Sequence, residues 1–161
     1  MHSVNVYLDT NVFIEMYETR SVASTLIWDT VGNAKVSGVH FISSELTLAE
    51  ILVKPIKSAH SSKNWQQVID YRQALSDKPG FQKIVPVTSD ILYSAASIRA
   101  LTKGVKLPDA IHLATAIIHK CNFFLSNDRE LAGKCLNAVS SFPIRHFVHF
   151  DDLAGYIFKL E

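Results

Sequence analysis

Four acidic side chains stand beside segments that are expected to end at one edge of an α/β sheet. They are Asp9, Glu50, Asp109 and Asp128. Carboxylate oxygens suit hard divalent cations, and Mg²⁺ typically binds one or two carboxylates together with waters and phosphate oxygens. Clustered carboxylates repel one another unless a cation neutralises them, and a paired-metal site can activate water and stabilise the leaving oxygen of a phosphodiester. The four acids therefore indicate a site for metal-assisted hydrolysis.

The local setting of each acid explains why they are expected to meet. Asp9 directly follows an apolar run at residues 4–8, and Asp128 lies just beyond another at residues 123–125. Glu50 and Asp109 lie in the first turns of predicted helices. Strand ends and the starts of the next helices share one edge of a parallel sheet, where ligands of α/β folds bind. Nearby hydroxyl and amide groups can support the ligands and hold waters: Thr10, Asn11, Ser44, Ser126 and Asn127.

Three of the acids also have a purely structural interpretation. Asp9 can cap the helix that follows it. Asp109 comes directly after Pro108 and fits the ordinary chemistry of a first helical turn, where acids are favoured. Asp128 fits a cap or a turn. Each acid alone is a weak signal, and it is their combination in this order that becomes specific.

Glu50 has a structural interpretation as well, because it completes the capping-box pattern Thr47-x-x-Glu50. Ser44 offers an earlier cap, and that cap would move Glu50 deeper into the helix. His112 follows Asp109 by three residues and lies on the same helical face, so its ring can approach the site. Its apolar neighbours favour a packed, hydrogen-bonded core histidine instead.

Strands and helices alternate along the whole sequence. Strands are predicted at residues 4–8, 39–42, 84–87, 122–125 and 144–150. Helices are predicted around residues 12–17 and 22–36, from 46 to a stop before Pro55, and at 61–76, 91–101, 107–120, 130–136 and 151–159, with residues 57–63 as a loop. The helix at 107–120 is apolar nearly all round and is expected to be buried. This alternation predicts a three-layer α/β/α sandwich with a central, mainly parallel sheet.

The composition predicts one globular domain spanning residues 1–161. Apolar residues make up 48% and charged residues 19%, which is the balance of a soluble protein rather than a disordered or membrane-spanning one. No signal peptide is expected, and two cysteines without Cys-x-x-Cys spacing predict reduced thiols in a cytoplasmic protein. The net charge of +1 excludes a broad basic field, so nucleic acid would need a local patch or a metal.

Four segments carry a resemblance to a known family. They are LDTNVFI at 8–14, SELTLAE at 44–50, LPDAIHLATA at 107–116 and LSNDREL at 125–131. In this order they resemble the successive motifs of PIN-domain proteins, and the chain as a whole is most similar to the VapC-like toxin ribonucleases of bacterial and archaeal toxin–antitoxin pairs. Glu45 is a competing acid in the second segment, but its spacing matches the motif less well than that of Glu50.

The resemblance implies a PIN fold and endonucleolytic cleavage of RNA that depends on Mg²⁺ or Mn²⁺. It places the metal-binding acids at Asp9, Glu50, Asp109 and Asp128, and a supporting polar shell at Thr10 or Asn11 and at Ser126. It also implies a cognate antitoxin and a homodimer. No membrane partner is expected.

Two other functions remain open from the sequence. One is a catalytically silent PIN-like module that binds RNA or a protein, and the other is a structure-specific DNA nuclease or phosphatase using the same metals. The helix pair around residues 51–75 could present an apolar surface to an antitoxin or to a second subunit. Side chains near the acidic segments could contact phosphates or stack on bases, although solvated or core roles are favoured: Lys54, Lys57, Lys63, Arg72, Lys103, Lys106, Trp65 and Tyr71.

Overall fold

A parallel sheet forms the centre of the computed structural model, which describes residues 4–19, 21–22, 24–25, 29, 39–76, 82–138 and 146–149. Its strands are β1 (Val4–Leu8), β2 (Val39–Ser44), β3 (Gln82–Val85), β4 (Phe123–Leu125) and β5 (His146–Val148). They lie in the order β3-β2-β1-β4-β5, and every pairing is parallel. From β1 the chain passes outward through β2 to β3, and it then crosses to β4 and β5 on the other side of β1. The β1–β4 boundary is therefore a topological switch point, where α/β folds open a crevice.

Helices cover both faces of this sheet. Within the described ranges they are α1 (Thr10–Glu18), α2 (Leu46–Ile51), α3 (Val53–Ser62), α4 (Gln66–Ala74), α5 (Ser89–Leu101), α6 (Leu107–Ile118) and α7 (Arg129–Ala138). None of them is long and apolar enough to cross a membrane. The predicted α/β/α sandwich is confirmed, and its sheet is parallel throughout.

Two buried clusters fill the space between the layers. Side chains alternate across a strand, so Val6 and Leu8 of β1 pack with α1, α2 and α4, whereas Tyr7 packs with α5 and α6 on the opposite face. The buried helix predicted at 107–120 corresponds to α6, whose residues 110–116 are all buried. Because α6 is packed against the sheet, any polar side chain on its buried face is held in a fixed position.

The predicted end of a helix before Pro55 is confirmed, because α2 ends at Ile51, but the prediction of a loop at 57–63 was wrong. Leu52 interrupts the helix briefly, and α3 then begins at Val53 and continues to Ser62. Pro55 lies in the first turn of α3, where its missing N–H would have no intrahelical partner. Lys63 ends the helix in the left-handed conformation, at φ 59°, and α4 starts at Gln66 rather than at 61.

The remaining boundaries agree with the sequence more closely. β3 lies at an edge of the described sheet, as Pro86 suggested, but it runs from 82 to 85 rather than from 84 to 87 and ends just before this proline, which has no N–H. The side chain of Thr88 caps α5 by accepting from the N–H of Ile91. The predicted helix at 151–159 and most of the predicted helix at 22–36 lie outside the described residues.

Candidate active site at the carboxyl edge of the central strands

Asp9 occupies the end of β1, where that strand turns into α1. Its carboxylate accepts hydrogen bonds from the Thr10 N–H at 2.7 Å, from the Asn11 amide at 2.9 Å and from the Ser126 hydroxyl at 2.7 Å. Asp9 is the N-cap of α1, so the structural interpretation also holds. The residue is only 9% exposed. Capping and metal binding are compatible here, because each carboxylate oxygen has more than one lone pair.

Asn11 and Ser126 tie the end of β4 to the start of α1. The Asn11 amide donates to Ser126 Oγ at 3.1 Å, and Asn11 Oδ1 accepts from the Asn127 N–H at 3.0 Å. Ser126 Oγ also accepts from the Asp128 N–H at 3.0 Å. Asn11 and Ser126, two of the predicted supporting residues, therefore contact Asp9 and fix the loop that carries Asp128.

Asp128 itself caps α7, since one carboxylate oxygen accepts from the Leu131 N–H at 2.9 Å. Asp109 lies in the first turn of α6 and is half-buried. Burial raises the pKa of Asp109, and the negative charges of Asp128 and Asp9 raise it further, against an opposing effect of Lys106. The three aspartates therefore share one electrostatic environment, although they come from β1, α6 and the loop after β4.

Glu50 reaches the same region from α2. Its Oε2 atom accepts from the Thr10 hydroxyl and from His112 Nε2, the latter at 2.8 Å. The capping-box interpretation of Glu50 was wrong, because Ser44 Oγ accepts from the Leu46 N–H at the helix start. Thr47 instead lies inside α2 and bonds the Ser43 hydroxyl at 3.0 Å.

The environments of Asp9 and Glu50 shift their pKa values in opposite directions. Burial is the largest influence on Asp9 and raises its pKa, despite the charge of a protonated His112 and the hydrogen bonds from Ser126 and Thr10. Burial also acts to raise the pKa of Glu50, but the hydrogen bonds from His112 and Thr10, with the His112 charge, outweigh it and lower that pKa. The charge of Glu50 in turn raises the pKa of Asp9. Glu50 is thus the more readily ionised of the two acids.

His112 is buried and hydrogen-bonded, as the sequence predicted, but its ring belongs to the site rather than to packing alone. It is 2% exposed. Its Nδ1 atom lies 2.7 Å from the Tyr7 hydroxyl, and its Nε2 atom lies 3.9 Å from Asp9 Oδ1 in addition to its bond with Glu50. Sequence reasoning treated Tyr7 only as part of β1. The alternation along that strand, which turns Tyr7 toward α6, was the available signal.

The donor set fits a hard divalent cation by charge and by chemistry. Among the residues that the structure describes, no group of three or more His, Cys, Asp or Glu side chains is already arranged to hold an ion. The acids nevertheless offer only oxygen donors, and the charges of Asp9 and Asp128 each raise the pKa of Asp109. A divalent cation would remove that repulsion. The four acids therefore suit Mg²⁺ or Mn²⁺ better than a soft metal.

The other side chains singled out from the sequence lie at the surface or in the core. All six basic residues near the acidic segments are exposed, and Lys106 acts electrostatically on Asp109. Tyr71 is buried and donates to Glu18 at 2.6 Å, so it is a core residue and is not placed to stack on a base. Trp65 is 43% exposed and packs edge-on against His60.

The helix pair α3–α4 does present an apolar surface, as the sequence suggested. Val53, Ile56, Trp65 and Ile69 are all substantially exposed there. An open groove of about 550 Å³ lies on the adjoining part of α2 and α3 and is lined by Leu48, Ala49, Leu52, Val53, Ile56 and Lys57. Val53 and Ile56 belong both to the lining of this groove and to the exposed apolar side chains of α3.

Comparison with known proteins decides the family. The PIN domain family matches this sequence over residues 6–135, which include all four acids. The chain belongs to the PIN-domain family. No curated protein sequence matches it.

Several solved structures share the fold of this PIN domain. A toxin–antitoxin complex from Klebsiella pneumoniae is 25% identical, with a TM-score of 0.58 over 80% of this chain and 91% of that one. VapBC2 from Rickettsia felis, bound to a fragment of promoter DNA, is 13% identical, with a TM-score of 0.62 over 91% and 98%. FitAcB from Neisseria gonorrhoeae is 20% identical, with a TM-score of 0.58 over 80% and 91%. The predicted resemblance to VapC-like PIN proteins is confirmed.

Proposed function

We propose that this PIN domain is an endoribonuclease that depends on Mg²⁺ or Mn²⁺ and acts as the toxin of a type II toxin–antitoxin pair. The observation that carries the proposal is the electrostatic coupling of acids from separate elements. Asp9 and Asp128 raise the pKa of Asp109, and Glu50 raises that of Asp9. Such repulsion disfavours the charged forms unless a cation is bound. A site whose carboxylates repel one another in this way suits metal-assisted hydrolysis of a phosphodiester.

In this proposal the ion or ions are held by Asp9, Glu50, Asp109 and Asp128. When bound, the metal lowers the pKa of a water molecule and neutralises charge that develops on the phosphate. The protein's part is to orient ligands: Asn11 and Ser126 fix the Asp9 carboxylate, while Thr10 fixes that of Glu50. In the proposed reaction, water attacks the phosphorus in line with the leaving oxygen, whose bond to phosphorus breaks. Because the nucleophile is water, no covalent enzyme intermediate forms.

RNA would approach a cleft that is acidic before metal binds, so nearby cations matter for its affinity. Lys106 lies at the N-terminus of α6 and lowers the pKa of Asp109. Lys134 feels the charges of Asp109 and Asp128, although its ammonium also bonds Glu130 and the Gly104 carbonyl. Among the described residues, these two side chains bring positive charge close enough to act on the acids, so they can also meet phosphates there.

The antitoxin and the homodimer belong to the same proposal, as does a cytoplasmic location. The support for an antitoxin is that a toxin–antitoxin complex from Klebsiella pneumoniae shares this fold at 25% identity. The exposed apolar side chains of α3–α4 and the groove beside them offer surface for a protein partner, whether antitoxin or second copy. Co-expression with the product of the adjacent reading frame tests this directly, and failure of the two proteins to co-purify would argue against the toxin role.

The decisive experiment on activity compares the wild-type chain with Asp9→Asn. We expect the wild type to cleave RNA only with Mg²⁺ or Mn²⁺, and the variant to lose about 100-fold or more, because even supporting residues of metal sites contribute about 10–100-fold. Cleavage rates are measured in parallel on RNA, DNA and a small phosphate ester, and circular dichroism confirms the fold. Undiminished cleavage by Asp9→Asn would refute the assignment, and preference for DNA or the ester would change the substrate.

The runner-up is a catalytically silent module that binds RNA or a protein. The presence of all four acids in their motifs argues against it. Calorimetric titration with Mg²⁺ and Mn²⁺ separates the two, because a silent module need not bind either ion.

A further inference from the structure

His112 connects the interior of the sheet to the acidic cleft. The Tyr7 ring is fully buried and stacks on Phe124 with centroids 5.0 Å apart, so the position of its hydroxyl is set by the core. The hydroxyl lies 2.7 Å from His112 Nδ1, and His112 Nε2 lies 2.8 Å from Glu50 Oε2. At the far end, the side chain of Glu50 is 31% exposed. The chain of contacts thus runs from a rigid core group to a carboxylate that faces solvent.

When the His112 ring is neutral, the hydrogen-bond chemistry fixes which of its nitrogens carries the proton. An ionised carboxylate can only accept, so His112 Nε2 must be the donor to Glu50. In the neutral ring Nδ1 is then an acceptor, and its donor is the Tyr7 hydroxyl. A phenol carries its proton at neutral pH, so the Tyr7 hydroxyl can donate it to Nδ1. Tyr7 therefore selects the tautomer that bonds Glu50.

The geometry at Glu50 leaves one carboxylate oxygen for a ligand. The Thr10 hydroxyl and His112 Nε2 both bond Oε2. Among the described residues the structure records no hydrogen bond to Oε1. Thr10 and His112 thus restrain the rotation of the Glu50 side chain through Oε2. The other oxygen, Oε1, is left to bind an ion.

We propose that His112 is a positioning residue that holds the Glu50 carboxylate for a divalent ion, with Tyr7 fixing the ring. This inference rests on the proposed metal-dependent function and assigns a role to a residue outside the four acids. Partners that orient metal ligands typically contribute about 10–100-fold to metal affinity. The carboxylate of Glu50 should therefore bind Mn²⁺ more weakly when the donor at Nε2 is lost, even in a folded chain.

A matched pair of substitutions separates positioning from packing. In His112→Gln the side-chain amide can reach the place of Nε2 and donate to Glu50, whereas in His112→Asn the shorter amide reaches only the place of Nδ1. Isothermal titration with Mn²⁺ measures affinity, and melting of the metal-free chain measures stability. We expect His112→Asn to lose about 10–100-fold in Mn²⁺ affinity and His112→Gln to lose less than about 5-fold. Equal affinities in the two folded variants would overturn the proposal.

Tyr7→Phe keeps the experiment decisive if His112→Asn fails to fold. It removes one hydroxyl and leaves the stacked ring, so Mn²⁺ affinity should fall while the fold remains; unchanged affinity would overturn the proposal. A wild type that binds Mn²⁺ but does not cleave RNA would refute the proposed substrate alone and leave this inference testable by affinity. A wild type that binds no Mn²⁺ would overturn both.

Discussion

At the scale of single residues, most of the site consists of carboxylates that have two roles. Asp9 and Asp128 each cap a helix and also lie in the acidic cluster. Burial and the charges of Asp128 and Asp9 raise the pKa of Asp109, against an opposing effect of Lys106. Glu50 is held by two hydrogen-bond donors that lower its pKa. The structural and functional interpretations that compete in the sequence therefore coexist in the molecule.

Glu50 and Glu45 provide a test of which acid in the second motif acts. Glu50→Gln should reduce metal-dependent RNA cleavage by about 100-fold or more, because the variant loses a charged ligand, while its amide oxygen can still accept from Thr10. Glu45 is exposed and its side chain makes no capping bond, so Glu45→Gln should retain wild-type rates. Initial cleavage rates at saturating Mg²⁺ measure both. A larger loss in Glu45→Gln than in Glu50→Gln would reverse the assignment.

Asp109→Asn is expected to stabilise the metal-free fold while it abolishes activity. The pKa of Asp109 is raised in the folded chain, so its ionised form opposes folding at pH values above that pKa. As pH falls through the folded-state pKa, the folded chain takes up the proton first and this opposition disappears. The melting temperature of the variant should therefore exceed that of wild type at neutral pH, and the difference should shrink on acidification. A variant less stable than wild type at neutral pH would contradict this.

At the scale of elements, β1 and α6 position the site. β1 carries Tyr7 and is followed directly by Asp9, and α6 carries Asp109 and His112 on adjacent turns. The apolar pattern of α6 predicted its burial. It gave no sign that the His112 ring on this helix bonds Tyr7 of β1 and Glu50 of α2. Pro55 is a second case in which the local pattern was incomplete. The helix α2 does end before this proline, but Pro55 lies in the first turn of the next helix, so the residues that follow it are helical.

The end of α3 allows a prediction about the helix itself. Lys63 adopts φ 59°, a left-handed conformation that costs a residue with a side chain about 1–2 kcal/mol and glycine much less. Lys63→Gly should therefore raise the free energy of unfolding by up to about 1 kcal/mol, after the added freedom of the unfolded chain is subtracted.

Lys57 supplies the control for this substitution, because it is exposed in the interior of the same helix. Lys57→Gly should lower the free energy of unfolding by about 1 kcal/mol. Urea denaturation followed by circular dichroism measures both variants. A destabilised Lys63→Gly would show that the side chain of Lys63 contributes more than its backbone conformation costs.

At the scale of the whole molecule, the sheet order creates the cleft. β1 lies between β2 and β4, and the chain leaves it in opposite directions on the two sides. Asp9 and Asp128 flank this switch point from β1 and β4, while α2 and α6 bring Glu50 and Asp109 toward it. The groove is lined partly by α2, the helix that also carries Glu50, so one helix connects the surface offered to a partner with the site.

Metal binding should be visible as a property of the whole fold. A ligand that binds only the folded chain, at about 100 times its dissociation constant, stabilises it by about 2.7 kcal/mol, or roughly 5–11 °C in melting temperature for a chain of this size. Scanning calorimetry with and without Mn²⁺ measures the shift. Glu45→Gln should show the full shift and Asp9→Asn little or none. An equal shift in Asp9→Asn would place the ion elsewhere.

The sequence by itself determined the parallel α/β architecture, the family motifs and the four acids, because hydrophobic periodicity and strand-end polarity are local properties. Single-domain organisation and the catalytic roles of those acids stay predictions. Only the tertiary structure decided that Glu50 is held by Thr10 and His112, and that His112 in turn rests on Tyr7. Those contacts join residues as many as 105 positions apart, and such a pairing depends on packing that no local pattern encodes.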